Sequence, residues 1–218
     1  MKTLDVRLSE GREYRDMAAL SRIEGDGKIV EGYATTFNQP YDLFRDNAPG
    51  ITYIFREQVD PNAFDNTDMT DVIMQYNHEG RVFARTNNGT LGLNADDHGL
   101  HIRADLGGTE IGRQLYEEIE GGYTDKMSFG FRVGKDKTEQ TEERDENGMI
   151  TVNILRTILE ISKLYDVSAV SLPANDATSI SARNFCDGVI EEIKGEFLAR
   201  EQRERQKQRI RIMTEVNK

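Results

Sequence analysis

The sequence predicts an α+β fold: a mostly antiparallel, β-barrel-like core of about seven to eight strands, with one central helix and a C-terminal helical tail. Three observations support this prediction. Short runs of β-branched and aromatic residues recur between turn-forming residues from about residue 28 to residue 172. One segment in the middle of the chain has the periodicity of an amphipathic helix, and a second helical pattern begins near residue 184.

The predicted strands are separated by recognisable turns and breaks. Asn38-Gln39-Pro40 ends the first strand, because Pro cannot donate a ladder hydrogen bond, and residues 41–56 are predicted to form an irregular loop. Residues 135–148 are very polar and are predicted to form an exposed hairpin tip or a flexible insert. Ser162-Lys163 is predicted to break the last strand into two. The predicted strands cover residues 28–37, 71–78, 81–86, 90–94, 99–106, 126–133, 151–161 and 164–172.

The clearest helix begins after Thr109, whose side chain can cap it, and it ends at Gly121-Gly122. The whole chain is predicted to have three parts, which are a flexible N-terminal arm (1–26), a folded domain (27–183) and a helical, basic tail (184–218). One short strand fits within the arm, around residues 15–23.

The charge of the chain excludes some partners. The net charge is −11, which argues against general affinity for nucleic acid, because phosphate binding needs Lys and Arg on one face. The charge is uneven: residues 200–218 hold seven Lys or Arg and three Glu, a net charge of +4, so the other residues carry −15. Such a basic segment either binds a partner of its own or is a solvated helix face.

Composition also indicates the type of compartment. No apolar run is long enough to cross a membrane, and the first ten residues lack the apolar stretch of a secretory signal. A single cysteine, Cys186, excludes an internal disulfide and a cysteine-based metal site. We therefore expect a soluble protein of a reducing compartment.

Ser128 and His78 are the best candidates for chemistry. Ser128 is the hydroxyl in an apolar, β-prone run at residues 126–133, and His78 ends another such run. A nucleophilic serine needs a base within hydrogen-bonding distance, and the neutral imidazole of a histidine suits that role. The structural alternative is a hydrogen-bonded strand serine and an exposed histidine at a strand end. No Gly-x-Ser-x-Gly motif is present, so the α/β-hydrolase arrangement is not predicted.

A histidine base needs a group that orients it, and two carboxylates are candidates. Asp166 opens an otherwise apolar strand, where burial without a hydrogen-bond partner would be costly. Glu160 is the competing candidate by the same reasoning. A structural salt bridge, or simple exposure to water, is the alternative for both residues.

The sequence predicts no metal and no cofactor. Three histidines, His78, His98 and His101, raise the question of zinc, but no His-Glu-x-x-His spacing supports it. His98 lies in the turn sequence Asp97-His98-Gly99, and His101 falls on the polar side of a strand. There is no P-loop and no Gly-x-Gly-x-x-Gly sequence before a helix, so nucleotide binding has no support.

Six motifs occur in the order found in a known family. They are Ile-Val-Glu-Gly-Tyr-Ala (29–34), Phe-Arg-Glu-Gln-Val-Asp-Pro-Asn-Ala-Phe (55–64), Tyr-Asn-His-Glu (76–79), Gly-Leu with Ala-Asp-Leu (99–106), Met-Ser-Phe-Gly-Phe (127–131) and Tyr-Asp-Val-Ser-Ala-Val-Ser-Leu-Pro-Ala-Asn (165–175). Together they extend from about residue 29 to residue 180. In this order and spacing they resemble the prohead, or capsid maturation, serine proteases of tailed bacteriophages, a family related in fold to the herpesvirus assemblins.

The resemblance implies a role for particular residues. His78 is then the base and Ser128 the nucleophile. Assemblins use a second histidine as the third member, but no histidine follows His101 here. A carboxylate at the equivalent strand start, Asp166, is then the third member, with Glu160 as the alternative. Ala174 and Asn175 are then near the oxyanion site, where backbone N–H groups stabilise the tetrahedral intermediate.

The resemblance also implies a substrate and a place of action. The expected substrates are scaffolding segments of the major capsid protein, or a scaffolding protein, and the protease itself. The expected location is the host cytoplasm, inside the immature capsid (prohead), with no membrane and no specific nucleic acid as partner. Because assemblins act as dimers, a homo-oligomer is a further expectation. Two alternatives are a non-enzymatic capsid assembly or scaffolding protein and a hydrolase of small esters.

Overall fold

The computed structural model describes residues 11–22, 27–170, 188–195, 199, 200, 202, 203, 206, 207 and 210, and for residues 16–19, 21 and 22 it describes the backbone alone. The chain divides into two compact units, residues 1–182 and 183–218. In the second unit the described residues are helical, in agreement with the helix predicted there. None of the helices in these described parts of the chain is long and apolar enough to cross a membrane.

The described residues of the first unit form ten strands, one α-helix and one short 3-10 helix. The strands are β1 (Glu13–Arg22), β2 (Ile29–Thr36), β3 (Tyr41–Ala48), β4 (Ile51–Val59), β5 (Ile73–Tyr76), β6 (Glu79–Arg85), β7 (Leu91–Ala95), β8 (Gly99–Asp105), β9 (Lys126–Arg144) and β10 (Ile150–Val170). The α-helix, α1, is Glu110–Glu120, and the 3-10 helix is Thr86–Asn88.

The strands form one mixed sheet. Their order is β3-β4-β10-β9-β1-β2-β8-β7, and β5 pairs with both β10 and β6. All pairs are antiparallel except those of β10 with β4 and with β5, so the predicted mostly antiparallel, β-rich core is confirmed. Among the described strands, β3 and β7 are the two ends of this order and do not pair with each other. The predicted barrel-like core is therefore an open sheet in this part of the chain.

The prediction of a loop at residues 41–56 is wrong. These residues form most of the hairpin of β3 and β4, which raises the number of strands above the predicted seven to eight. The hairpin turns at Pro49-Gly50, where Gly50 has a φ of 80°, a conformation that glycine adopts at little cost. No residue of β3 is buried, so its sequence lacks the apolar alternation by which strands are recognised.

The N-terminal strand β1 is an internal strand of the sheet. It lies between β9 and β2 and pairs antiparallel with both. The short strand predicted around residues 15–23 is therefore present. Residues 13–22, predicted to belong to a flexible arm, are part of the sheet: residues 13–19 pair with β9 and residues 20–22 with β2.

A long hairpin of β9 and β10 forms the centre of the sheet. At its tip, the carboxylate of Asp145 accepts hydrogen bonds from the backbone N–H groups of Asn147 and Met149, at 2.9 and 2.8 Å. The polar residues 135–148 are thus an exposed hairpin tip, which was one of the two predicted alternatives. The predicted break at Ser162-Lys163 is wrong, because β10 continues through these residues. Shifts of register accommodate the polar pair without ending the strand.

Helix α1 packs one apolar face into the core. Leu115, Tyr116 and Ile119 of this face are buried, and the Thr109 hydroxyl accepts a hydrogen bond from the Gly112 N–H at 3.0 Å, as the capping prediction requires. A methyl group on Gly112 would lie 2.3 Å from the carbonyl oxygen of Leu106. Glycine at this position therefore lets the helix lie close to the end of β8.

Four charged side chains form a group that we call the charge cluster: Glu13 and Arg15 of β1, Glu57 of β4 and Arg156 of β10. All but Glu13 are buried. Arg15 donates to both carboxylate oxygens of Glu57, at 2.6 and 2.9 Å. Arg156 donates to Glu57 at 2.9 Å and to Glu13 at 2.8 and 3.1 Å. Burial alone would lower the pKa of Arg15, but Glu57, with Tyr41 and Glu13, holds it well above the ordinary value. The charge cluster therefore ties β1 to β4 and β10.

Candidate active site

His78 lies in the two-residue turn between β5 and β6, where Tyr76 pairs with Glu79. Both turn residues have positive φ, 50° at Asn77 and 59° at His78, as a type I′ turn requires. Asparagine and histidine adopt this left-handed conformation more readily than most residues other than glycine. The Asn77 N–H donates to the carbonyl oxygen of Ala169 on β10 at 2.9 Å. This bond holds the turn, and with it the imidazole, beside the central hairpin.

Ser128 lies on β9 between two paired neighbours. Its register partners are Asp16 of β1 and Ser168 of β10, and its side chain is fully buried. Because side chains alternate along a strand, Met127 and Phe129 point to the opposite face, where both belong to the hydrophobic core. The alternation thus leaves the hydroxyl on the face that His78 approaches.

The structure brings Ser128, His78 and Asp166 into one chain of hydrogen bonds. The distance from His78 Nε2 to Ser128 Oγ is 2.6 Å, and the distance from His78 Nδ1 to Asp166 Oδ1 is 2.5 Å. A carboxylate accepts the Nδ1–H, so Nε2 is left as the acceptor for the serine O–H. This is the order of donors and acceptors in which a histidine can remove the proton of a serine nucleophile.

Asp166 has two further neighbours that sequence reasoning missed. The Ser168 hydroxyl donates to Asp166 Oδ1 at 3.0 Å. On the facing strand, a methyl group on Gly130 would lie only 2.4 Å from Asp166 Oδ2, so the carboxylate occupies space that a glycine leaves open. Both residues lie inside the family motifs, which is the signal that could have indicated them: Ser168 follows Asp166 by two residues, and Gly130 follows Ser128 by two.

Tyr14 of β1 also contacts the site. The centre of its ring lies 4.4 Å from the centre of the His78 imidazole, with the two planes inclined at 60°. Tyr14 is 3% exposed. No sequence signal indicated this residue, because it belongs to a polar stretch of weak periodicity outside all six motifs.

The other predicted site residues lie elsewhere or are not described. Glu160, the alternative third member, is exposed and pairs in register with Lys135 of β9, so the structure brings Asp166 and not Glu160 to His78. Ala174 and Asn175, predicted near the oxyanion site, lie outside the described residues. Their role stays a prediction.

The two other histidines are grouped around a tyrosine. The rings of His98 and His101 lie 4.5 and 5.1 Å from the ring of Tyr33, centre to centre. Nε2 of His101 lies 3.6 Å from a carboxylate oxygen of Glu31. Among the residues that the structure describes, no group of three or more His, Cys, Asp or Glu side chains is arranged to hold a metal ion.

A serine, a histidine and a carboxylate linked in this order define a site of the serine-hydrolase type. The family described as "Caudovirus prohead serine protease" matches residues 16–189, a span that includes Ser128, His78 and Asp166. The chain therefore belongs to this family. The resemblance found in the six motifs is confirmed.

One relative shows how far the similarity extends. The "Prohead protease" of Enterobacteria phage HK97 is 29% identical over 174 residues, which cover 77% of this chain and 66% of that protein. The chain thus spans just under two thirds of the length of the relative. No solved structure matches the chain.

Proposed function

We propose that the chain is a serine endopeptidase with Ser128 as nucleophile, His78 as general base and Asp166 as the residue that orients His78. One observation carries this proposal. Three side chains from three separate parts of the chain meet in hydrogen bonds of 2.5 and 2.6 Å, in the order that acyl transfer by a serine requires. Family membership indicates that the bond cleaved is a peptide bond, because the family is one of serine proteases.

The reaction proceeds in two acyl transfers. Ser128 Oγ attacks the peptide carbonyl carbon while its proton passes to His78 Nε2, and the tetrahedral intermediate collapses as His78 returns that proton to the leaving amine. A water molecule then attacks the acyl-enzyme, again losing its proton to His78, and the serine is released with its hydroxyl restored. Asp166 holds the Nδ1–H and stabilises the imidazolium that forms in each step. Backbone N–H groups near Ala174 and Asn175 are proposed as donors to the oxyanion, on the strength of the family resemblance.

The proposed substrate is a scaffolding segment of the major capsid protein, or a scaffolding protein, inside the prohead in the host cytoplasm. Membership of a prohead protease family and the name of the HK97 relative support this assignment. We also propose that the protease cleaves itself, acts as a homo-oligomer and uses neither cofactor nor metal. The core is proposed to be assemblin-like, on the basis of its largely antiparallel sheet and the site built on it. The tail at residues 184–218 is proposed as an appendage to the protease.

Co-expression with the capsid protein of the same phage tests the function. We expect wild-type protein to shorten the capsid protein, as read by intact mass, and Ser128→Ala to leave it at full length because no nucleophile remains. The control is Ser162→Ala, which removes an exposed hydroxyl of β10 and should process normally. Processing by Ser128→Ala, or none by the wild type, would instead favour a non-enzymatic assembly protein. The mass of the protease in the same samples tests self-cleavage.

Removal of the Ser168 hydroxyl should have a smaller, measurable effect. In Ser168→Ala the carboxylate of Asp166 loses a hydrogen bond and orients His78 less firmly, so we expect kcat to fall roughly tenfold with little change in KM. Steady-state kinetics on a peptide spanning the capsid cleavage junction measure this. Ser162→Ala on the same strand is again the control, and equal losses in the two variants would contradict the role of Ser168.

A further inference from the structure

The strand β1 brings a side chain to the site from outside the family match. That match begins at residue 16, whereas Tyr14 lies two residues before it. In the pairing of β1 with β9, Tyr14 is opposite Gly130 and Asp16 is opposite Ser128. The strand that carries Tyr14 is therefore the direct neighbour of the strand that carries the proposed nucleophile.

Tyr14 and Asp166 converge on the same glycine. A methyl group on Gly130 would lie 2.8 Å from Cε1 of Tyr14 and 2.4 Å from Oδ2 of Asp166. The tyrosine ring also lies against the imidazole of His78, at 4.4 Å between ring centres. Tyr14, Asp166 and His78 are all buried, so the hydrogen bond between the imidazole and the carboxylate lies away from solvent beside the tyrosine ring. A hydrogen bond of this kind is stronger in an environment of low dielectric constant.

The residue after Tyr14 holds β1 in place. Since neighbouring side chains of a strand point to opposite faces, Arg15 faces away from the site and enters the charge cluster. There it makes a bidentate ion pair with Glu57, with N–O distances of 2.6 and 2.9 Å. Planar pairs of this type fix orientation as well as distance. The position of the Tyr14 ring is therefore set by a buried anchor on the other face of the sheet.

We propose that Tyr14 is a positioning residue for His78, and that β1 is a required part of the active site. The proposal rests on the proposed function. The ring limits rotation of the imidazole, so that Nε2 remains hydrogen-bonded to Ser128 while Nδ1 remains hydrogen-bonded to Asp166. A consequence concerns self-cleavage. A cut before Glu13 leaves Tyr14 and Arg15 in the sheet, whereas a cut in β1 after Tyr14 separates the ring from the rest of the domain and inactivates the enzyme.

The test measures how fast a fluorophosphonate probe labels the serine of the full-length protein. We expect Tyr14→Leu, which keeps an apolar side chain but loses the ring, to fold and to label roughly 10²-fold more slowly, because small misplacements of catalytic groups cost rates of this size. Tyr14→Phe keeps the ring and should label within about threefold of wild type. The matched control is Tyr53→Leu on β4, which removes an equally buried tyrosine (1% exposed) and should leave the rate unchanged.

A second readout follows the imidazole directly. In wild type, proton NMR should show a strongly downfield resonance for the His78 Nδ1–H in its bond to Asp166. This resonance should persist in Tyr14→Phe and Tyr53→Leu and should broaden or vanish in Tyr14→Leu. Wild-type labelling by Tyr14→Leu, or slow labelling by Tyr14→Phe, would overturn the proposal.

Two further variants separate this proposal from the one it rests on. If Ser128→Ala and His78→Ala label as fast as wild type, the proposed active site itself is wrong. If neither of these variants is labelled while Tyr14→Leu is labelled at the wild-type rate, only the role proposed for Tyr14 is wrong.

Discussion

Replacing Asp166 by Asn is expected to lower kcat by about 10⁴-fold at neutral pH, with KM close to wild type. The asparagine amide can donate to Nδ1 of His78, which favours the tautomer with the proton on Nε2. In that tautomer Nε2 donates and cannot accept the proton of Ser128, although it lies only 2.6 Å from the hydroxyl. The measurement is single-turnover cleavage of a peptide from the capsid junction.

Glu160→Gln provides the matched control for this prediction. Like Asp166→Asn, it removes one negative charge from β10. The carboxylate it replaces is exposed, and Glu160 pairs in register with Lys135 rather than lying against His78. We expect kcat within about twofold of wild type, as for most exposed substitutions. If Glu160→Gln were inactive and Asp166→Asn active, the third member of the site would have been assigned to the wrong carboxylate.

Replacing Glu57 by Gln is expected to lower the free energy of unfolding by about 3–5 kcal/mol, because two buried arginines lose the carboxylate they share. Both arginines keep Glu13, and Arg156 also keeps Asp136, but the buried positive charge that Glu57 balanced cannot recover its hydration, which is why the loss exceeds that of a surface pair. Urea unfolding followed by circular dichroism measures the change. Since Arg15 also anchors β1, the same variant should label slowly with the fluorophosphonate probe even under conditions where it is fully folded.

Asp42→Asn is the control for this loss of stability. Asp42 pairs with Arg56, the residue next to Glu57 on β4, but these two side chains are 67% and 48% exposed. An exposed pair contributes less than about 1 kcal/mol, so the unfolding midpoint should hardly move. Equal destabilisation by the two variants would show that the charge cluster is not a special element of the fold.

The three side chains that the structure brings together could be singled out in the sequence because each lies in a short, distinctive motif. A histidine at the end of an apolar run, a serine inside another and an aspartate at the start of a third each stand out from their neighbours. The order of these motifs indicated the family, and the structure brings the three side chains together. The residues that support them could not be found in this way. Tyr14 acts through a contact between β1 and the turn after β5, and no pattern within residues 11–22 records that contact.

The errors in the predicted fold have two physical origins. No residue of β3 is fully buried, and its side chains therefore carry no apolar alternation. Ser162 and Lys163 are read as a break because they are polar, yet in the sheet they bond across to Arg132 and Asp68. The charge cluster could not be predicted either, since Arg15, Glu57 and Arg156 come from three distant strands and resemble surface residues in the sequence. For Lys163 and for the charge cluster the deciding partner is remote along the chain.

The arrangement of β10 also determines when in folding the site becomes complete. His78 is 50 residues from Ser128 and 88 residues from Asp166 along the chain. The hairpin of β9 and β10 has its two arms joined by a short turn, so its closure is a local event. The parallel pairing of β10 with β5 is not local, and such pairings form slowly because a long loop must be closed first. We therefore expect the hydrogen bond between His78 and Asp166 to form among the last steps of folding. A newly made chain would then have no proteolytic activity towards surrounding proteins until its sheet is complete.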